Sequence, residues 1–342
     1  MESLQKLLEP LDLTPTDVKV YVTLLSHGPV SPSRLAEIMG LHRPQIHSSL
    51  KRLISRGLVE VYSGRPTIYR AIDPRTLFRI INDEFKELFS NSKKFIESIS
   101  SGKNEYEYGV WIFKSKKGLM NRYIKTVEKA EANLAISGDI EFISRLRDYI
   151  LSAQENGVIV YIIVYDVPGI RFRKNVVRRF NKVKRAVSGD LLVIADTKMG
   201  ILAQRRSVVK NLPSYGIAVE EPMLIDYLLQ DFLYRWMRSK VIIDKNIELP
   251  ARFTMFKLGL IEVGKFLEKG RKIRGVFKGR WIKKRKNGII EGRIVKAFIN
   301  SQTGIAQMHV KVDEGRIYTV GAPDAVVEDF AVNEMLIKEV EI

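Results

Sequence analysis

The chain contains no cysteine. Disulfides and thiolate metal sites are therefore excluded. Histidine is nearly as scarce, with four in 342 residues. Three of them, His27, His42 and His47, precede residue 50, and residues 105–245 have none. His42 and His47 are five apart, roughly 140° around a helix of 3.6 residues per turn, so they are not placed to share a metal. No Gly-rich phosphate loop is present. The longest apolar run, Val158–Tyr165, falls far short of the roughly 20 residues that span a bilayer. The opening residues MESLQKLLEP lack a basic stretch followed by an apolar core, so no signal peptide and a cytoplasmic setting are expected. Acids are outnumbered 39 to 57, for a formal charge of +18. That excess suits an anionic partner such as nucleic acid, although a lysine-rich soluble surface gives the same total.

An apolar fraction of 45% argues for ordinary cores. The pattern changes along the chain. Residues 1–75 alternate short helical patterns and end in a hairpin. A first helix begins near Thr16 as cap or Pro15 as first-turn proline, and its apolar stripe is Val18, Val20, Tyr21, Leu24 and Leu25. Ser31 or Ser33 caps a second, with Leu35, Ile38 and Met39 inside, and Gly40 makes the turn. The third starts after His42 and hides Ile46, Leu50, Leu53 and Ile54. Leu58–Tyr62 and Thr67–Ala71 alternate as strands around a Ser63–Pro66 turn. This order is that of a winged helix-turn-helix that binds double-stranded DNA.

With that apolar side buried, the third helix presents Arg43, Gln45, His47, Ser48, Lys51 and Arg52, all hydrogen-bond donors. Arginine and glutamine suit bidentate contacts to guanine and adenine edges in the major groove. Arg43, Gln45 and His47 are expected on bases, Lys51 and Arg52 on phosphates, and Arg65 at the wing tip. From Arg43 to Arg79 there are eight Lys/Arg against two acids, Glu60 and Asp73.

The stretch Thr14–Pro74 resembles the N-terminal domain of the archaeal TrmB family of sugar-responsive transcription regulators. The resemblance is carried by Gly40-Leu41-His42-Arg43-Pro44-Gln45-Ile46, by Lys51-Arg52-Leu53-Ile54-Ser55-Arg56-Gly57-Leu58-Val59 and by Tyr69-Arg70-Ala71-Ile72-Asp73-Pro74. The order of the remaining regions extends it over nearly the whole chain.

Residues 76–102 carry Phe78, Ile81, Phe85, Leu88, Ser92, Phe95 and Ile99 at 3,4 spacing, a coiled-coil stripe suited to a homodimer reading a pseudo-palindrome. The resemblance implies a dimer too. Residues 103–247 read as an α/β layer, with strands at Trp111–Phe113, Ala132–Ser137, Val158–Tyr165, Leu191–Ala195 and Ile201–Ala203. Helices are expected at Gly118–Lys129, Ile140–Asn156 and Glu221–Arg238. This region is similar to the family's phospholipase-D-like domain. Such domains act through a His-x-Lys pair with a carboxylate five residues after the lysine. The one His-x-Lys here is His309-Val310-Lys311, outside that region, and the acid's place is taken by Arg316. Enzyme activity is therefore not expected, nor a cofactor. Residues 170–185, with eight cations and no acid, read as a solvated helix, with a DNA-facing surface as the alternative.

Residues 248–342 alternate between Gly-containing turns as an antiparallel β domain. Lys265–Lys296 holds thirteen cations and two acids, whereas 297–342 holds eight acids and three bases. The cations either pair with that acidic tail or form a second DNA contact. The resemblance implies a mono- or oligosaccharide effector of maltose, maltodextrin or glucose type. Asn300 and Gly315-Arg316-Ile317 match the family's Asn and Gly-x-Ile, and Glu328 is the candidate carboxylate, since Gly321 stands where the family acid falls. Ser301, Gln302, Asp329 and Trp281 are further groups of the right chemistry. The fold expected is thus multidomain α+β: winged helix-turn-helix, coiled-coil linker, phospholipase-D-like α/β domain and C-terminal antiparallel β domain. The function expected is a repressor or activator of sugar uptake or metabolism genes, and the alternative is an abundant architectural chromatin protein coating DNA without an effector.

Overall fold

A computed structural model describes residues 2–8, 11–99, 109–187, 189–204, 213–300 and 305–340. The chain forms two compact units, Met1–Glu105 and Tyr106–Ile342. In the first, α1 (Glu2–Leu8), α2 (Pro15–His27), α3 (Pro32–Met39) and α4 (Arg43–Ser55) precede a hairpin of β1 (Val59–Tyr62) and β2 (Ile68–Ala71), then α5 (Pro74–Ile99). The cap of α2 is Thr14, two residues before the expected Thr16, and Pro15 is its first helical residue. Thr14 and Asp17 form a reciprocal capping box, with Thr14 N donating to Asp17 Oδ2 at 2.9 Å. Gly40 adopts φ +63° between α3 and α4, a left-handed conformation that glycine reaches without steric cost. Leu8, Val18, Tyr21, Leu24, Leu35, Ile46, Leu50, Leu53 and Leu58 make the core. Ile54 is an exception to the expected inner face: it is 38% exposed, on the flank of α4.

The second unit opens with an eight-stranded sheet, built of β3 (Val110–Phe113), β4 (Asn133–Asp139), β5 (Ile159–Tyr165), β6 (Lys182–Ala186), β7 (Leu191–Ala195), β8 (Met199–Ala203), β9 (Gly216–Val219) and β10 (Lys240–Asp244). Their order is β10-β6-β5-β4-β7-β8-β9-β3. The β4–β5 and β5–β6 pairs are parallel and the rest antiparallel. Alternate residues of the central strands feed two cores. Leu134, Ile136, Val160 and Ile162 face α6 (Lys116–Glu128) and α7 (Ile140–Glu155). Ala135, Tyr161 and Ile163 face α9 (Pro222–Arg238).

Residues 170–185 are not a solvated helix. They hold one short turn of helix, α8 (Lys174–Val177), and then run into β6. Four of their eight cations are engaged, among them Arg179 with Glu155 at 3.0 Å, Arg185 with Asp166 at 2.8 Å, and Lys184 with the Trp236 carbonyl at 2.8 Å. Lys182 is buried and bonds Asp244 at 2.6 Å and Glu262 at 2.8 Å.

The remaining elements are β11 (Ala251–Phe253), α10 (Phe256–Glu268), β12 (Ile273–Trp281), β13 (Lys286–Ile299), β14 (Ala306–Lys311), β15 (Ile317–Gly321) and β16 (Phe330–Glu339). Neighbours pair antiparallel from β16 through β12, β13 and β14 to β15, and a parallel β15–β16 contact closes the ring. The helix α10 is an addition to the all-β reading. Its Phe256, Leu258, Leu260, Val263 and Phe266 are buried among the strands. The expected boundary near residue 248 falls between β10 and β11, yet a single core runs across it from Tyr161 and Trp236 to Phe253, Phe277 and Met335. Asn133 on β4 joins the two halves directly, accepting from Thr254 N at 2.8 Å and donating to the Arg252 carbonyl at 3.2 Å.

Candidate nucleic-acid interface

The face of α4 opposite Ile46, Leu50 and Leu53 is solvent-exposed at Arg43, Gln45, His47, Ser48 and Lys51. Arg65 is exposed between β1 and β2. Neither Arg43, Lys51 nor Arg65 has a carboxylate partner among the described residues. Their charge is therefore available to an external anion.

Two residues are placed differently from the sequence reading. Arg52 was expected on phosphate. Instead its Nε donates to Asp17 Oδ2 at 2.9 Å and its Nη2 to Asp17 Oδ1 at 2.8 Å, a fork-on-carboxylate pair that ties α4 to α2. Its Nη1 also donates to Ser48 Oγ at 2.8 Å, which orients a second candidate. The Asp17 side chain is fully buried. Burial alone would raise its carboxyl, but hydrogen bonds from Arg52, Ser49 and Thr14 outweigh that and hold it below the usual carboxylate range. Arg52 is thus a positioning residue for the recognition helix. The signal in the sequence is the Thr14-x-x-Asp17 pair, which fixes a carboxylate on the α2 turn beside core residue Val18.

Gln45 is exposed, but its Oε1 accepts from His42 N at 3.2 Å and so closes the first turn of α4. A bidentate contact to adenine uses the amide oxygen as well as the nitrogen. Gln45 must release His42 to read a base in that way, whereas Arg43 is free of such a constraint. Arg70, on β2, is neutralised by Glu60 across the hairpin. The wing's charge therefore rests on Arg65.

The candidate sugar residues are not brought together. Asn300 follows β13 and donates its N–H to the Ile305 carbonyl at 2.8 Å. Glu328 lies beside Gly321, which pairs with Gln307 at that same end of β14. Ile317 pairs with Lys311 at the opposite end, with Gly315 in the turn before it. Four residue steps of strand separate the two levels, about 14 Å at 3.4 Å per residue. Trp281 stands against Tyr318 and Phe330, with ring centres 5.1 and 5.2 Å away, and Asp329 accepts from Thr319 N at 2.9 Å. Ser301 and Gln302 lie outside the described residues. His309 sits on β14, half-buried, 3.2 Å from Gln307 Nε2. The nearby Asp313 is held by Arg274 at 2.7 Å. Among the described residues, no three His, Asp or Glu are grouped to hold a metal, and no helix is long and apolar enough to cross a membrane.

A short helix that hides its aliphatic side, offers donors outward and is followed by a two-stranded wing defines the winged helix-turn-helix class of domain. The comparisons give the family. The model described as "Sugar-specific transcriptional regulator TrmB" matches residues 8–75. Those for "Transcriptional regulator TrmB, EBD N-terminal subdomain" and "TrmB/TrmBL1, EBD C-terminal subdomain" match 109–243 and 248–340. The chain belongs to the TrmB family.

Among its relatives, the uncharacterized protein YrhO of Bacillus subtilis is 24% identical over 164 residues, 48% of this chain and 59% of that protein. The putative HTH-type transcriptional regulator TrmBL2 of Pyrococcus furiosus is 23% identical over 169 residues, 44% of this chain and 62% of that protein. The DNA-binding HTH-type transcriptional repressor TrmBL2 of Thermococcus kodakarensis is 23% identical over 175 residues, 46% of this chain and 64% of that protein. The matched part is less than two thirds of each relative's length. Among solved structures, TrmBL2, described as an archaeal chromatin protein, matches 69% of this chain and 98% of its own with a TM-score of 0.40 and 17% identity. The phospholipase D family member Nuc of Salmonella typhimurium matches 40% of this chain and all of its own with a TM-score of 0.32 and 12% identity.

Proposed function

We propose that this protein is a homodimeric, sequence-specific transcription regulator whose α4 helices enter adjacent major grooves and whose affinity responds to a sugar. The observation that carries this reading is the exposed, unneutralised row of donors on α4. Arg43, Gln45 and His47 contact bases, Lys51 and Arg65 contact phosphates, and Ser48 is oriented by Arg52. Replacing Arg43 with alanine relaxes preference at one base pair, costing roughly 1–3 kcal/mol there. Gln45→Ala does the same and also frees the His42 N–H, so its loss exceeds that of Arg43→Ala on a poor site. Lys51→Ala lowers the slope of log affinity against log salt by about one. Titrating promoter and scrambled duplexes over a salt series, with and without maltose, maltodextrin and glucose, checks all three. Equal loss on every sequence would turn Arg43 and Gln45 into phosphate contacts, and indifference to duplex at low salt would end the proposal.

The dimer rests on α5. Phe85, Leu88 and Phe95 are 61%, 47% and 66% exposed, while Ile81 of the same stripe is buried in the first unit. Apolar side chains at 3,4 spacing left in water call for a second helix. Pairing two copies through α5 sets the recognition helices about 34–36 Å apart, one DNA turn. Phe85→Glu with Leu88→Glu yields a monomer in sedimentation velocity; a dimer that survives both would remove α5 from the interface.

The family's sugar-specific description supports a saccharide effector, and the EBD subdomain models that match 109–243 and 248–340 make the second unit the place to look for it. Asn300 and Glu328, at one end of the barrel, are the pair to test first. Gly315 and Ile317 belong to a separate location. A DNA-coating role is favoured by one observation, a cationic hairpin outside the winged helix.

A further inference from the structure

Of the cations of Lys265–Lys296 outside the β12–β13 hairpin, Lys269, Lys272, Arg293 and Lys296 have no carboxylate partner among the described residues, and the other four are paired. Lys265 bonds Asp244 at 2.9 Å and Glu262 at 3.2 Å, Arg271 pairs with Glu339, Arg274 with Asp313 and Glu291, and Lys278 with Glu334. At the hairpin itself the pairing ends. Arg280, Lys283, Lys284, Arg285 and Lys286 are all exposed, and none has a carboxylate partner among the described residues.

The hairpin is held rigidly beneath those charges. Arg280 pairs with Asn287 and Trp281 with Lys286 in register, leaving a four-residue turn of Ile282–Arg285. Trp281 anchors it edge-on against Tyr318 and Phe330. Ile282 N donates to the Asp329 carbonyl at 3.1 Å, while the Asp329 carboxylate is occupied by Thr319 and does not reach the lysines. Arg316 adds a sixth cation at this end, its Nη1 3.1 Å from the Tyr318 hydroxyl. A hairpin tip of this size spans on the order of 10 Å at 3.4 Å per strand residue. Duplex DNA offers about one phosphate charge per 1.7 Å of axis, so several phosphates face such a tip at once.

We propose that the β12–β13 hairpin is a second, sequence-independent binding site for the phosphate backbone of duplex DNA. It carries Arg280, Lys283, Lys284, Arg285 and Lys286 and lies in the unit that does not contain the winged helix. Acids of the C-terminal region pair with Arg271, Arg274 and Lys278 and leave the tip of the hairpin uncovered.

The test compares the full chain with Lys283→Gln, Lys284→Gln, Arg285→Asn and Lys286→Gln combined. Arg285 has φ +50°, which asparagine tolerates. Binding to a mixed-sequence duplex is measured by fluorescence anisotropy across a potassium chloride series. Each neutralised phosphate contributes about 0.9 to the slope, so the variant's slope falls by about three. Lys283→Arg, Lys284→Arg and Lys286→Arg combined keeps it. A slope within half a unit of the parent overturns the proposal. If the quadruple variant melts early by circular dichroism, Lys283→Gln with Lys286→Gln decides, with an expected fall of about two and no fall overturning the idea. Preference for one sequence over another is read in the same titration and is carried by α4. Preference kept with an unchanged slope would strike this site while leaving the reading of α4 intact, and absence of preference in the parent would strike only the latter.

Discussion

Lys182→Met is expected to be the most destabilising single change in the Tyr106–Ile342 unit, at about 3 kcal/mol, the lower end of the range for breaking a buried ion pair. The Lys182 and Glu262 side chains are each 2% exposed, and the ammonium bridges Glu262 to Asp244. Removing it strands a carboxylate that water does not reach. Lys265 still touches the other Glu262 oxygen, which is why the lower end applies. Burial acts to raise the Asp244 carboxyl, and hydrogen bonds from Lys182 and Lys265 reverse that and hold it low. Lys182→Met with Glu262→Leu replaces both charges by apolar groups and recovers most of the loss, to within about 1 kcal/mol of the parent. Trp111, Trp236 and Trp281 all lie in this unit, and the other has no tryptophan. Urea unfolding followed by tryptophan fluorescence therefore reads it alone. A single variant that loses less than the double variant would mean that Glu262 is not committed to Lys182.

Arg52→Ala should destabilise the other unit by about 2–4 kcal/mol, somewhat less than a fully enclosed pair, because Arg52 is 42% exposed while Asp17 is wholly buried. Helix circular dichroism loses its early transition at lower urea while the tryptophan transition stays put. The pH dependence has a definite sign. The Asp17 carboxyl is depressed in the folded parent, so its contribution is present above the unfolded value near 3.9 and lost as pH falls through the folded one. Without Arg52 the burial effect remains, opposing ionisation. The stability gap between parent and variant therefore narrows below about pH 4. A gap that stays constant from neutral to acid pH would show that the pair contributes through packing and not through charge.

The recognition helix and wing were legible because hydrophobic period, capping residues and turn glycines agree locally. The same was true of the parallel-sheet strands, whose apolar runs at Ala132–Ser137 and Val158–Tyr165 correspond to β4 and β5. What was not legible depends on partners distant in sequence. Arg52 lies about 120° from the Ile46 side of α4 at 3.6 residues per turn, on the flank, and its partner is 35 residues earlier. Three cations in the five residues of β6 suggested solvent; their partners Asp244, Asp166 and the Trp236 carbonyl come from three other elements. The helix α10 carries Gly259 and Gly264 in its interior, which lower its helix propensity and hid it among the neighbouring strands. For the candidate saccharide residues, order and spacing along the chain were legible, but strand register decides which end of a barrel each one occupies.

The order of the eight-stranded sheet sets a distance for communication. The chain enters the sheet at β3, at one margin, and leaves for the barrel from β10, at the other. Seven strand spacings lie between them, roughly 34 Å at 4.8 Å each. The effector proposed for the barrel would act on the sheet at β4, where Asn133 joins the two halves, four strand spacings or about 19 Å from β3. A hydrogen-bonded sheet sandwiched between two cores transmits a tilt over such a span more readily than it absorbs one.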